Sequence, residues 1–459
     1  MNLNKEILFE SVFNGISSNI TINTFKEKHS KNEVEIEING YKHSLIQFIA
    51  CSIAINQKLI IENPPKVMDT YVMCAIINEL GGEARIDSNK LVLDPSSICI
   101  TNIPCNLSRI IHGSLYLMPA LLIRFGKFEF FESGGCQIGD NDGRRPVNHI
   151  INVMKRFGAE IYLTDKKITG MLSDYKSVDE INIMDFSNSH NKLSGPLVGG
   201  ATKVAMLMSF NQSKIIINNP YLKTDTLDLL NFIKLTGKNV EINKNKLIIS
   251  GQVKISKEFL NVRLTECISE IITYSTFAIL NDIKIKFLNL NKLTILESLK
   301  PELRLLSKMN VKYIWEGNDL IIFNRQLIES VNIVVDAKGI QSDHQPFFAL
   351  LLLYGNKKSE ITEKVFRNRF FYLDNLIELG ADICRKENTI IIKPSKINNS
   401  SMNLKGHDVR TAAVTLIACL TANENCKIYD CVHLLRGYDD FVEKLRLFGC
   451  RIKCEVEAL

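Results

Sequence analysis

The stretch INELGGEARIDSNKLVL, from Ile77 to Leu93, decides the fold, because five further segments repeat its grammar. An amphipathic helix ends near Gly, a short alternating strand follows, and a polar turn leads into a second β-rich strand. The copies are MKRFGAEIYLTDKKITG from Met154, IKLTGKNVEINKNKLIIS from Ile233, LLSKMNVKYIWEGNDLIIF from Leu305, IELGADICRKENTIIIK from Ile377 and LRLFGCRIKCEV from Leu445. They recur at roughly 70 to 80 residues, longer than the 20 to 50 typical of solenoid repeats. Gly at the helix end suits a left-handed C-cap. The Asp-Ser-Asn-Lys, Lys-Asn-Lys and Glu-Gly-Asn-Asp pieces suit hairpin turns between β-branched runs.

Between the copies lie a further strand and helix, as in KLIIENPP before MDTYVMCAIINELGG and VNIVVDAKGI before QPFFALLLLYG. Each unit therefore reads β-α-β-α-β-β, and the fold class is α/β. Six units divide into two groups of three, with the boundary placed near Arg263 to Ser269 although no Pro/Gly/Ser-rich linker marks it. The expected domains are 42–266, carrying the loop around Cys136, and 1–41 together with 267–459.

A chain of 459 residues with 46% hydrophobic and 23% charged content buries full cores. Met1 to Ser30 lacks the basic and apolar regions of an export signal. Apolar runs such as Phe347 to Tyr354 fall well short of the roughly 18 to 20 residues that span a bilayer. The expectation is a soluble, cytoplasmic protein. The 12 cysteines stand singly, without C-x-x-C pairs, so neither a zinc site nor a disulfide framework is implied and most should be buried thiols. The net charge of +6 is not gathered into Lys/Arg runs, which argues against a nucleic-acid partner and leaves small anionic substrates.

Glu132-Ser-Gly-Gly-Cys-Gln-Ile-Gly139, continuing to Arg144-Arg145-Pro146, places one thiol beside two guanidiniums. The arginines favour anions and can lower a thiol pKa. By itself the segment reads equally as a surface loop with an incidental Cys.

Taken with other motifs, this loop resembles the UDP-N-acetylglucosamine enolpyruvyl transferases (1-carboxyvinyltransferases), of the enolpyruvyl transferase family that also includes the shikimate-pathway enzyme. The matching residues are Arg124-Phe125-Gly126, Gly134-Gly135-Cys136-Gln137-Ile138-Gly139 and Arg145-Pro146-Val147. Further along come Ser342-Asp343 with Gln345, Ile361-Thr362-Glu363 with Phe366 and Asn368-Arg369-Phe370, Asp408-Val409-Arg410, and Arg436-Gly437-Tyr438. The similarity runs from about Ile38 to the end. It implies two inside-out α/β barrel domains of three repeats each, and transfer of the enolpyruvyl group of phosphoenolpyruvate to a hydroxyl, with no metal and no cofactor. A uridine nucleotide-sugar is the implied acceptor, no membrane partner is implied, and the expected assembly is a monomer or weak homo-oligomer.

Phosphoenolpyruvate carries a phosphate and a carboxylate, so its site needs several fixed cations, with Arg preferred where bidentate geometry helps. By resemblance these are Lys42, Arg145, Arg410 and Arg436, with Arg369 beside them. Any one alone would pass for a surface charge. The reaction needs an acid and a base, and the resemblance implies Cys136 as acid and Asp343 as base, with Lys42 and Asp408 also catalytic. Asp343, ahead of a helix, equally suits an N-cap, and Asp408 equally suits an ion pair with Arg410. For the acceptor, the resemblance implies His43, His112, Arg145, Pro146, Val147, Gly199, Gly200 and Asp343. Leu197-Val-Gly-Gly-Ala-Thr202 opens a helix whose backbone N–H groups suit a phosphate, or whose small residues suit close packing.

Four positions depart from the family pattern. Lys-Asn reads Lys42-His43, a helix-opening Arg aligns with His112 while Arg109 lies one turn away, extra residues Asp140 to Gly143 lengthen the loop, and Glu-Pro-Glu reads Lys223-Thr224-Asp225. A cation in place of an acid suits a more anionic acceptor, as in a specialised paralogue acting on another uridine nucleotide such as a monophosphate. A ligand-binding relative without catalysis is the third reading. The shikimate enzyme fits less well, because Lys42 is followed by His-Ser-Leu-Ile-Gln.

Overall fold

The computed structural model describes residues 18–26, 31–135, 145–164, 167–187, 195–323, 327–337, 339–366 and 368–458. Cys136 lies outside them. The chain forms two compact units: an inserted unit of 39–135 and 145–265, and a host unit from the residues before 39 and from 266 onward. Each carries three sheets.

In the inserted unit one sheet runs, in spatial order, Phe259–Arg263, Lys58–Glu62, Lys90–Asp94, Glu83–Asp87. A second runs Glu180–Asn182, Lys214–Asn218, Lys246–Ser250, Asn239–Asn243. The third has Lys127–Phe130, Ile168–Met171 and Glu160–Leu163, and its fourth place shrinks to a parallel bridge between Asn102 and Glu129. The host unit repeats the plan with Glu33–Glu37, Lys284–Leu288, Asp319–Ile322 and Tyr313–Glu316, and again with Ile333–Val335, Ser359–Glu363, Thr389–Lys393 and Asp382–Lys386. In every full sheet a parallel pair sits beside two antiparallel strands. Parallel pairing needs a crossover; the helices Gly195–Met208, Gln345–Leu352 and Val409–Ala422 supply it for three of the pairs, whereas Lys58–Glu62 with Phe259–Arg263 and Glu33–Glu37 with Lys284–Leu288 are joined across long stretches of the chain.

The last sheet, Ser401–Lys405, Cys426–Tyr429, Ser18–Thr24, Ile452–Ala458, departs in one respect. The sixth copy of the repeat contains only one strand after its Gly, and the missing partner comes from the other end of the chain, with Ser18 opposite Ala458 and Thr24 opposite Ile452.

Local chemistry explains the repeated phrase. Gly81, Gly158, Gly237, Gly380 and Gly449 all take positive φ where the helix ends, and Asn310 takes that role in the fourth copy, as the next residue tolerant of the left-handed region. In the two-residue turns, Ser88, Lys244, Gly317 and Glu387 adopt positive φ at the first turn position, which matches the right-handed twist of the strands they join.

Within each unit the first helices of the repeats are apolar on all sides and pack on one another. In the host unit these are Ile268–Leu280, Gln345–Leu352 and Val409–Ala422, in mutual contact and buried along nearly their whole length. In the inserted unit they are Lys42–Ile55, Leu117–Phe125 and Gly195–Met208. A helix buried all round belongs in a core, and the polar side chains these helices carry in their interiors, such as Gln47, Lys203, Thr273 and Thr415, are buried with it, while Lys42 and Arg410 stand at helix starts. Among the described residues no helix is long and apolar enough to cross a membrane. Seven of the eleven described cysteines are buried.

Candidate functional site

In the host unit the site grows from the turn before Gln345–Leu352. The N-cap of that helix is His344, not Asp343, so the Asp343 carboxylate is available for other work. It bridges two arginines: Oδ1 accepts from Arg369 Nη2 at 2.6 Å and Oδ2 from Arg410 Nη2 at 2.8 Å. Both guanidiniums are buried, at 5% and 7% side-chain exposure, while Asp343 keeps 26%. Arg410 also donates through Nη1 to the Tyr438 hydroxyl at 2.8 Å, which meets Thr273 Oγ1 at 2.9 Å. Burial disfavours the Arg410 charge, but Asp343 and Tyr438 outweigh it and raise its pKa well above the ordinary value. Burial pushes the Tyr438 hydroxyl up to about 12 despite the neighbouring guanidinium.

Asp408 is the N-cap of Val409–Ala422. Its Oδ1 accepts from the backbone N–H of Arg410 at 2.8 Å and of Thr411 at 3.3 Å, and its Oδ2 from Thr411 Oγ1 at 2.5 Å. The Arg410 guanidinium therefore pairs with Asp343, while Asp408 fixes the direction of the helix start. Arg436 ends the short helix Leu434–Gly437. A Cβ on Gly437 would stand 2.3 Å from Val409 Cγ1, so only Gly lets this turn approach the Arg410 helix so closely. His433 is pushed down by burial and then by Arg436. Asp343, Arg369, Arg410, Arg436 and Asp408 thus gather around adjoining helix ends of one unit.

Two further buried groups brace the Asp343 turn. His344 Nδ1 lies 2.8 Å from Glu302 Oε1 and its Nε2 3.2 Å from Ser269 Oγ, and Glu302 Oε1 also accepts from Gln341 N at 2.9 Å. Nothing in the sequence marks Glu302 apart from its place in an amphipathic helix.

In the inserted unit, Lys42 opens the first central helix and its Nζ sits 2.8 Å from Asp69 Oδ2, with Asp69 buried. His43 packs edge-on against Tyr41, ring centroids 5.0 Å apart. The centre of this cluster is a pair that sequence reasoning passed over: Lys203 Nζ to Asp225 Oδ2 at 2.7 Å, both nearly buried. Lys203 also lies 4.8 Å from the Tyr116 ring centroid. Burial works against each charge. For Lys203 it is outweighed by Asp225 and Tyr116, and for Asp225 by Lys203 and His43, so the lysine pKa rises and the aspartate pKa falls. Tyr116 is raised by burial, with Lys203 and Arg145 acting the other way. His149 is pushed down to about 4 by burial and then by Lys203.

His149 also explains one of the glycines. A Cβ on Gly200 would stand 2.2 Å from His149 Nε2, and one on Gly199 3.3 Å from the Tyr221 ring. Tyr221 N donates to Thr202 Oγ1 at 3.0 Å. His43, Arg145, Gly199 and Gly200 are thereby grouped around Lys203 and Asp225. Arg145, Pro146 and Val147 lead into Asn148–Arg156, whose N-cap is Val147. His112 Nδ1 lies 3.3 Å from Ser133 Oγ, and a Cβ on Gly134 would fall 1.7 Å from the Arg109 carbonyl oxygen. The segment 133–135 therefore runs flush against 109–112. Arg109 is half exposed and faces Glu132, at 3.5 Å. Lys223 is buried, its N–H donating to Thr226 Oγ1 at 2.8 Å. The visible signal for Lys203 was a single cation in an otherwise apolar helix, Gly-Gly-Ala-Thr-Lys-Val-Ala-Met-Leu-Met.

The arrangement offers buried guanidiniums for an anion and a carboxylate beside them in one unit, and an ammonium, an arginine and a glycine-lined helix in the other. Among the described residues no group of His, Cys, Asp and Glu is placed to hold a metal ion.

Comparison with known proteins agrees in kind. Residues 26–445 match the family described as EPSP synthase (3-phosphoshikimate 1-carboxyvinyltransferase). A UDP-N-acetylglucosamine 1-carboxyvinyltransferase of Prochlorococcus marinus (strain AS9601) is 30% identical over 423 residues, covering 92% of this chain and 89% of its own. One from Wolbachia pipientis wMel is 29% identical over 429 residues, 91% and 96% of the two chains. Among solved structures, the enolpyruvyl transferase NikO from Streptomyces tendae is similar with a TM-score of 0.86 and 26% identity, covering 96% of this chain and 99% of that one. An EPSP synthase from Acinetobacter baumannii, with a TM-score of 0.67 and 12% identity over 95% of this chain and 100% of its own, shares the fold. The chain belongs to the EPSP synthase family and is a transferase of the enolpyruvyl (1-carboxyvinyl) class.

Proposed function

We propose that this enzyme moves the enolpyruvyl group of phosphoenolpyruvate to a hydroxyl of a uridine nucleotide-sugar, UDP-N-acetylglucosamine, and releases phosphate, acting in the cytoplasm at the first committed step of peptidoglycan precursor synthesis. The observation that carries this reading is Asp343 bridging the buried Arg369 and Arg410, in a chain whose relative at 30% identity bears that activity in its name. Carboxylate and cations for one reaction then stand within hydrogen-bond reach of each other.

In the proposed reaction the acceptor hydroxyl attacks C2 of phosphoenolpyruvate while the methylene carbon gains a proton, giving a tetrahedral ketal. Loss of that methyl proton and of phosphate regenerates the double bond on the product. Cys136 supplies the proton and Asp343 takes the hydroxyl proton. Lys42, Arg145, Arg369, Arg410 and Arg436 balance the phosphate and carboxylate, Arg through paired N–H groups. Asp408 acts beside Arg410 as the carboxylate of the helix start. His43, His112, Arg145, Pro146, Val147, Gly199 and Gly200 receive the nucleotide, its phosphates lying at the helix that the glycines open. The family organisation of two inside-out barrels, each with its central helices surrounded by three sheets, fits the burial of those helices.

A second reading has a specific observation behind it. His43, His112 and the buried Lys223 replace the family's usual types, and the similarity to NikO is strong in structure. A specialised paralogue acting on another uridine nucleotide, such as the monophosphate, fits these departures.

Phosphate release with phosphoenolpyruvate against UDP-N-acetylglucosamine, uridine monophosphate and shikimate 3-phosphate is the deciding test. Release that requires both substrates, with UDP-N-acetylglucosamine preferred, is expected. Preference for the monophosphate would select the second reading, and silence with every acceptor would refute both.

A further inference from the structure

One carboxylate of the host unit has no role in the chemistry above, yet it is fastened to both sides of it. Glu363 ends the strand Ser359–Glu363, is 1% exposed, and uses both oxygens. Its Oε2 accepts from Ser342 Oγ at 2.9 Å. Its Oε1 accepts from the backbone N–H of Val365 at 2.8 Å and of Phe366 at 3.3 Å. Ser342 Oγ in turn accepts from Arg369 Nε at 3.2 Å. Ser342 immediately precedes Asp343, and 363–366 is the segment that delivers Arg369.

Resting on the reading of Asp343 and Arg369 given above, we propose that Glu363 is a positioning residue: it clamps Ser342 to the 363–366 turn and so sets the Asp343 carboxylate and the Arg369 guanidinium at their working separation. Three features carry this. The hydroxyl of Ser342 has one proton, and giving it to Glu363 leaves its lone pairs to accept from Arg369. That fixes which edge of the guanidinium faces Ser342 and which nitrogen, Nη2, is left for Asp343 at 2.6 Å. The two backbone N–H groups bonded to the other oxygen fold the chain after the strand back on itself, and holding that turn and Ser342 at once takes two acceptor oxygens. Finally, the clamp joins residues 21 positions apart, so neither segment alone can hold the geometry. Burial raises the Glu363 pKa to about 7, with Val365 N–H and Arg369 opposing, in keeping with a carboxylate retained at the cost of desolvation.

A displacement of about 1 Å in a reacting group costs on the order of 10²-fold in rate. The test uses the full-length protein with Glu363→Gln, Glu363→Ala and Ser342→Ala, and steady-state phosphate release for each substrate. Glu363→Ala should lose on the order of 10²-fold in kcat/KM for phosphoenolpyruvate, with the KM for the nucleotide nearly unchanged. Glu363→Gln, which keeps one acceptor oxygen, should fall between it and the wild type. Ser342→Ala should lose in the same direction, and it covers the case in which Glu363→Ala does not fold. A readout independent of turnover runs in parallel: the Arg369 side-chain Nε–H resonance, assigned by its disappearance in Arg369→Lys, should be protected in the wild type and lose protection in Glu363→Gln and Ser342→Ala. Folded variants with wild-type kinetics and an unmoved resonance would overturn the proposal. If the wild type releases no phosphate, the functional reading fails, and the resonance alone decides whether Glu363 sets Arg369.

Discussion

Replacing Asp343 with Asn keeps the shape of the side chain and removes its charge, leaving two buried guanidiniums facing a neutral amide. The magnitude follows from the geometry. With N···O contacts of 2.6 and 2.8 Å, charge centres about 4 Å apart and an effective dielectric near 20, each pair is worth about 4 kcal/mol of Coulomb energy. Part is returned, because Asn is desolvated more cheaply than a carboxylate and Asp343 is 26% exposed. Breaking a buried ion pair by removing one partner costs about 3 to 5 kcal/mol, and two pairs sharing one carboxylate should lie in that range rather than at its double. The assay is built into the chain: its single tryptophan, Trp315, lies in the host unit on Tyr313–Glu316, so fluorescence during urea unfolding follows the unit that carries the mutation. The expected result is a loss of about 3 kcal/mol or more in that transition, with far smaller change in the inserted unit. A loss under about 1 kcal/mol, the scale of exposed pairs, would mean that solvent already satisfies Arg369 and Arg410, and the argument for a buried charge cluster would fail.

Cys136→Ala should abolish phosphate release while Cys136→Asp preserves part of it, because a carboxyl can also donate a proton; wild-type turnover in the Ala variant would remove the thiol from the reaction. Gly200→Ala puts a methyl 2.2 Å from His149 Nε2 and should raise the KM for the nucleotide more than that for phosphoenolpyruvate, whereas equal effects would detach this helix start from the acceptor. His149, at about 4 against an ordinary 6.5, contributes stability that is fully present above pH 6.5 and is lost as pH falls toward 4, worth about 3 kcal/mol. Far-UV circular dichroism of urea unfolding should show a shallower acid decline for His149→Phe, and an unchanged slope would contradict the assignment.

Much of the fold could be read from one phrase because its signals are local: a helix end that wants a left-handed residue, a two-residue turn, alternating strands. Where the signal weakened, chemistry filled in, as at Asn310 in place of Gly. The partner of Ile452–Ala458 was not legible, since pairing with Ser18–Thr24 is nonlocal and leaves no mark in spacing. For the site, motifs pointed to Asp343, Arg369 and Arg410, but only coordinates separate the competing roles, placing His344 and not Asp343 at the helix cap and turning Asp408 toward its own helix. Lys203 was missed for a related reason: a lysine in an apolar helix makes sense only once Asp225, 22 positions away, is seen to face it.

The strand exchange in the final sheet sets an order of events during synthesis. Everything the inserted unit needs, from Lys58–Glu62 to its parallel neighbour Phe259–Arg263, has been translated before the second half of the host unit exists. The N-terminal strand, by contrast, must wait unpaired until its first neighbour, Cys426–Tyr429, emerges from the ribosome, and its second, Ile452–Ala458, comes later still. Pairings of such long range are slow to close, so the inserted unit should complete its fold first, and a nascent chain halted before residue 426 should carry an exposed, protease-sensitive N-terminal segment.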